Sequence, residues 1–181
     1  MNRLLLLSAI MAVCGAHAAA ARNSPAILAA ERKAASFLIG CHQPTASRQR
    51  LCQQNQAEFI AEYVRAYSGE LLYISDLAGS YSLAGHGNLL DVGFPVDQSR
   101  SCSWRLVYQA LDRSRSGTPL DLSMSNEACG ALDPIGFHEA IRRAARILQR
   151  LQSAPLHLPA ADWWPSWREL SPLLESHPKP P

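Results

Sequence analysis

His86 stands between two glycines, Gly85-His86-Gly87, with Asp91 five residues on. A histidine in a glycine-flexed loop with a carboxylate close behind is the raw material of a general base. No Ser or Cys motif beside it supplies a nucleophile, so the same residues also read as a plain turn. Glu58 and Glu62 lie one helical turn apart, the spacing of an acid/base carboxylate pair, although acids so placed are ordinarily solvated. His138-Glu139 lacks the second histidine four residues on that a zinc protease needs, and no G-x-S-x-G, P-loop or G-x-G-x-x-G run occurs. Cys41, His42 and Cys52 are metal-ligand types, but no C-x-x-C pair organises them. Arg142, Arg146 and Arg150 recur every four residues. They read either as an anion-binding stripe or as a solvated face in which Glu139 pairs with Arg142 or Arg143. No catalytic, cofactor-binding or metal-binding residue is assigned, and no cofactor is expected.

Elements that would position these residues follow from the rest of the chain. Its 181 residues carry a net charge of +2, are 48% hydrophobic and 18% charged, and draw 15 of 17 basic side chains from Arg. That composition excludes a disordered polymer and a strongly basic nucleic-acid arm. Residues 1–18 read as a signal peptide: Arg3, then ten uncharged residues from Leu4 to Val13, then Ala16-His17-Ala18 as a cleavage site. Ten residues span roughly 15 Å as a helix, about half a bilayer core. Cys14 raises a lipoprotein reading, which the bulky Val13 before it disfavours. A periplasmic or secreted location is expected, with no membrane insertion after processing. Near-neutral charge and the lack of basic–aromatic interleaving leave out nucleic acid as a partner.

Four cysteines then remain, an even count that reads as two disulfides in an exported chain. Of the three pairings, Cys41–Cys52 and Cys102–Cys129 are favoured because each closes one short helix–loop–helix unit.

The body, residues 19–153, reads as all-α. Ser24-Pro25 opens a first helix, with Ile27, Leu28, Ala35, Phe37, Leu38 and Ile39 as its apolar set and Gly40 as its stop. Ser47 caps a second helix, over about 47–67, striped by Phe59, Ile60, Tyr63, Val64 and Tyr67. A third runs from about Glu70 to Leu83 and buries Leu71, Ile74, Leu77, Ala78 and Tyr81. Asp97 caps a fourth, over about 98–113, with Trp104, Val107 and Leu111 inward. Residues 114–131 read as a loop with at most one helical turn near Cys129. Asp133-Pro134 opens a fifth helix, whose seam is Phe137, Ile141, Ala144, Leu148 and Leu151. The expected architecture is antiparallel helical hairpins, a short solenoid-like array or irregular bundle, with two disulfides. Residues 154–181 form a tail with seven of the twelve prolines and Trp163, Trp164 and Trp167. So much aromatic area is expected to fold back on the helices or to bind a partner.

Leu77-Ala78 before Tyr81, then Gly85-His86-Gly87, Val96-Asp97 and Trp104 seven residues later follow the order of a known helix pair. Residues 69–117 thus resemble one unit of the Sel-one-like repeat family, relatives of tetratricopeptide repeats, with Asn88 to Pro95 intruding after the glycines. The resemblance implies a helical interaction scaffold and carries over no catalytic residue.

These readings predict an envelope protein that binds another protein, as an adaptor or as an inhibitor or immunity protein. Tyr81 and Trp104 are the candidate groove, and Trp163, Trp164 and Trp167 a second contact. The alternative is a small envelope hydrolase built around His86. A concave aromatic groove would favour the binder; a polar pocket joining His86 to a carboxylate would favour the enzyme.

Overall fold

Proline at the first helical position sacrifices no intrahelical hydrogen bond and presets φ, and three helices here begin that way, at Pro25, Pro119 and Pro134. The computed structural model describes residues 24–41, 44–82, 96–112 and 118–158. Among the described residues every regular element is helical: α1 (Pro25–Ala35), α2 (Ala46–Ala66), α3 (Leu71–Ser80), α4 (Gln98–Leu111), α5 (Pro119–Cys129) and α6 (Pro134–Ser153). None of these helices is long and apolar enough to cross a membrane.

Side-chain caps satisfy the orphan N–H groups at four starts. Asp97 accepts from the Arg100 N–H at 3.0 Å and Asp133 from the Gly136 N–H at 2.7 Å, as their positions predict. Elsewhere the start differs. Thr45, not Ser47, caps α2 by accepting from the Arg48 N–H at 3.3 Å, and Ser24 precedes Pro25 without a capping bond. The first helix stops at Ala35 instead of reaching Gly40. Phe37 and Leu38 bond back only three residues, and Gly40 then turns the chain at φ 80°.

The expected loop over 114–131 is the largest departure. Residues 113–117 lie outside the described set, but α5 occupies eleven residues after them. Thr118 caps it, accepting from the Asp121 N–H at 3.2 Å. Its sequence, with Ser123, Ser125, Asn126 and Glu127 among its apolar residues, has almost no apolar periodicity, so α5 is held by specific bonds to α4 instead. Those bonds are the Cys102–Cys129 disulfide, the Gln98 amide donating to the carbonyls of Glu127 and Ala128 at 2.6 and 2.9 Å, and a buried ion pair between Arg105 and Asp121. Gln109 adds a bond to the second Asp121 oxygen at 3.1 Å. The Cys41–Cys52 disulfide ties the link after α1 to α2, with Cα atoms 5.9 Å apart. Both pairings are the expected ones.

Adjacent helices run antiparallel. Asp97 N–H bonds the Tyr81 carbonyl, and one turn further along each helix Ser101 Oγ donates to the Ala78 carbonyl at 2.8 Å, closing α3 on α4. Between α4 and α5 the contacts step from Gln98 with Ala128 to Arg105 with Asp121. α4 therefore packs on α3, α5 and α6 together.

Burial departs from three of the expected seams. On α3 Ile74, Leu77 and Ala78 are buried as expected, but Leu71, at the first position of the helix, is 37% exposed. On α6 the buried residues are Ala140, Ala144, Ile147 and Leu151; Phe137 and Ile141 are 40% and 44% exposed. Ala140 and Ala144 have no bulk beyond Cβ, so they let α6 approach α4 closely, and the seam rotates toward them. On α4 Trp104 and Val107 are buried as expected, but Tyr108 replaces Leu111, which faces out. Past α6, the Leu156 N–H bonds the Tyr67 carbonyl at 2.9 Å and Leu156 packs with Ile27, Ala30 and Val64. The chain so begins to fold back; Trp163, Trp164 and Trp167 lie outside the described residues.

Two expectations about stability follow. Arg105 and Asp121 are each only 4% exposed, so Asp121→Ala leaves a buried guanidinium without its counter-charge. Urea denaturation should show a loss of roughly 3–5 kcal/mol; a loss under about 1 kcal/mol would mean that water reaches Arg105. Glu62 of α2 has its carboxyl pushed up to about 7 from 4.5, chiefly by burial. The Ser80 hydroxyl, donating at 2.8 Å, opposes that shift, and Asp76 and Glu58 add to it. A folded-state value above the unfolded one makes stability greatest below pH 4.5 and lowers it as pH rises to about 7. Glu62→Gln keeps an acceptor for Ser80. It should match the wild type below pH 4.5 and exceed it by roughly 2–3 kcal/mol at pH 8. Equal stability at both pH values would refute the shift.

Candidate functional site

Three tyrosines, Trp104 and Phe37 line one concavity, with Phe59 packed against Tyr63 and Tyr81. Helical spacing puts Tyr63 and Tyr67 on one face of α2, their ring centres 5.0 Å apart. Trp104 of α4 meets both edge-on, at 6.4 Å and 5.2 Å. Its aromatic partners are therefore on α2. Tyr81, the C-cap of α3, packs its ring at right angles on Phe59. Phe37, just past α1, lies against Tyr63 at 5.7 Å.

These rings do not close on one another. They wall a concave cavity of about 460 Å³, whose remaining lining is cationic apart from Ile147. Lys33 comes from α1, Arg100 from α4, and Arg143, Arg146 and Arg150 from α6. The three α6 arginines are spaced by three and four, so they project from one helical face. Among the described residues the lining holds no carboxylate and no histidine.

Cations stay in this wall by two means. Two are anchored by carboxylates outside the lining: Asp97 pairs with Arg100 at 2.7 Å, and Glu139 with Arg143 at 2.7 Å, while Ser99 Oγ also accepts from Arg143 at 3.1 Å. Lys33 and Arg150 rest on ring faces, where the negative quadrupole attracts them. Arg150 lies 4.7 Å from the Tyr67 centroid and Lys33 5.0 Å from that of Phe37; Arg100 also covers Phe37, at 3.9 Å. Arg146 has no counter-charge or ring among the described residues.

Burial drives the Tyr63 and Tyr81 phenols far above their usual range, against the pull of Arg150 on Tyr63 and of Arg100 on Tyr81. Both stay neutral at physiological pH and keep an O–H to donate. The Tyr81 hydroxyl is buried beside the Arg100 guanidinium, and no described acceptor takes its O–H. A buried donor left unused is rare, and this residue lines the cavity.

Of the residues the sequence singled out, Tyr81 and Trp104 do meet in this wall, 1% and 3% exposed. Of the arginine stripe, Arg146 and Arg150 line the cavity and Arg142 is exposed away from it; Arg143, paired with Glu139 as the solvated-face reading expects, also lines the cavity. Cys41, Cys52, Cys102 and Cys129 are structural crosslinks outside the lining. Among the described residues no three His, Cys, Asp or Glu side chains cluster as a metal site would require. Glu58 is exposed and Glu62 is engaged with Ser80. His86, Asp91, Trp163, Trp164 and Trp167 lie outside the described residues. Sequence reasoning missed Lys33, Arg100 and Arg143. The available signal was the tilt of the α6 face, since shifting its seam by one residue moves the arginine face to 143, 146 and 150.

Compared with known proteins, the chain matches no family model, no curated protein and no solved structure.

The unused hydroxyl yields a sharp contrast. Tyr81→Phe should leave the ligand-free protein as stable or about 1 kcal/mol more stable, because it removes an unsatisfied polar group. Tyr108→Phe, which deletes a 2.9 Å bond to Asp112, should cost about 1 kcal/mol. Thermal melts of both variants decide it. A destabilised Tyr81→Phe would mean that the hydroxyl is bonded.

Proposed function

We propose that the protein is an exported binding module that recognises a partner protein through the basic aromatic cavity. The observation that carries this reading is the lining itself: among the described residues, five rings and five cations converge on one concavity with no carboxylate or histidine beside them. That composition offers little of the carboxylate and imidazole chemistry most hydrolases use to move a proton. Recognition needs rigid aromatic surface and placed charges, which are what it offers. The signal-peptide reading and the two disulfides support export into an oxidising space. The same reading takes α3 and α4 as a helix pair of the Sel-one-like kind, supported by the Ser101 bond to Ala78 that lets them pack closely.

The test is capture from an envelope extract with the mature protein and with Arg146→Glu/Arg150→Glu. Both positions are solvent-accessible on α6, so the variant should fold. A partner held by the wild type and lost by the charge-reversed variant is the expected result. A partner retained equally by both would overturn the assignment of the cavity as the recognition site.

A further inference from the structure

We propose that the cavity is built for a phosphomonoester dianion carried on a flat ring. This rests on the binding reading above and specifies what the cavity grips.

Charge sets the first requirement. The lining carries five cations, and carboxylates pair with two of them, Arg100 and Arg143. Lys33, Arg146 and Arg150 have no carboxylate among the described residues, an excess of three positive charges in one partly desolvated concavity. A single carboxylate ligand would leave most of that excess in place. A phosphomonoester brings nearly two negative charges, and its three terminal oxygens accept several guanidinium N–H bonds at once.

Donor geometry sets the second. Guanidinium groups reach the cavity from α4 and from successive turns of α6, so they approach from different sides. That suits a tetrahedral oxyanion better than a planar one. The buried Tyr81 hydroxyl, whose O–H no described acceptor takes, adds a neutral donor.

Shape sets the third. About 460 Å³ is small-molecule size. Trp104 and Ile147 add apolar surface to the lining beside the tyrosine rings, which a flat ring would cover better than a flexible polar body. A bare inorganic anion would leave that surface uncovered.

Titration calorimetry on the mature protein tests it, with phenyl phosphate, inorganic phosphate, benzoate and benzyl alcohol at equal ionic strength. Phenyl phosphate should bind about tenfold or more tightly than either inorganic phosphate or benzoate, and benzyl alcohol should give no heat of binding. Arg146→Ala and Arg150→Ala should each weaken phenyl phosphate about tenfold while both variants stay folded, the melting temperature of Arg146→Ala being no lower than the wild type's. Arg142→Ala, on the same helix but outside the cavity, should not weaken it. Benzoate binding as tightly as phenyl phosphate, or Arg142→Ala weakening it as much as Arg146→Ala, would overturn the proposal. Partner capture separates the two readings. If capture requires Arg146 and Arg150 while phenyl phosphate does not bind, the phosphate inference falls and the protein-binding reading stands. If phenyl phosphate binds as described while capture ignores the charge reversal, the reverse holds. Phosphatase treatment of the extract distinguishes the sources: lost capture places the phosphate on the partner, and retained capture makes it a free small molecule.

Discussion

Burial of α4 on nearly every side is the constraint from which the rest follows. Ser101, Cys102, Ser103, Trp104 and Arg105 are consecutive and all buried, with Val107 and Tyr108 beyond them. Five consecutive residues span more than a full turn, so no side of this stretch is left to water. A helix so placed is ordinarily apolar all round. This one is not, and each polar group therefore needs a protein partner. Ser101 bonds a carbonyl of α3, Ser103 bonds the Ser99 carbonyl of its own helix, and Arg105 pairs with Asp121. Those bonds are directional, so they fix the rotation of α4 as well as its position. Trp104 then has one direction left to point, toward Tyr63 and Tyr67.

This explains which features could be read from the sequence. Local signals could: Asp97 and Asp133-Pro134 start helices because a cap needs only its own next turn. The cysteine pairs could, because parity and short spacing leave few arrangements. The α2 stripe could, because Phe59, Ile60 and Tyr63 face the main core and Val64 beside them faces the smaller cluster of Ile27 and Ala30. The features that depend on a second helix could not. α5 carries the same Thr-Pro opening signal as a proper helix, yet its stability comes from Cys102, Gln98 and Arg105, far away in the chain. The α6 seam turns on how closely Ala140 and Ala144 allow α4 to approach. The apolar count alone favours Phe137 and Ile141. Arg105 itself reads as a surface residue until Asp121 is placed beside it.

The cavity shows the same division. Tyr81 and Trp104 stand out by type, and the arginine repeat stands out by period. Their convergence does not, because the lining comes from α1, α2, the end of α3, α4 and α6. Overall charge is equally uninformative: a chain at +2 conceals five cations on one wall.

That wall is expensive to hold. Arg143 with Arg146, and Arg146 with Arg150, are like-charge neighbours on one helix face, each pair destabilising α6 by about 0.2–0.5 kcal/mol. Carboxylates interleaved on this face would remove the penalty, as Glu139 does for Arg143 just outside it. Within the cavity the aromatic faces stand in for them. Tyr67 holds Arg150, and Phe37 holds Arg100 and Lys33. A ring face attracts a cation without neutralising it or occupying its N–H groups, so the positive potential remains directed into the concavity. A fold selected for stability alone would pair these charges. Keeping them on aromatic supports leaves their N–H donors directed into the concavity instead of spent on carboxylates.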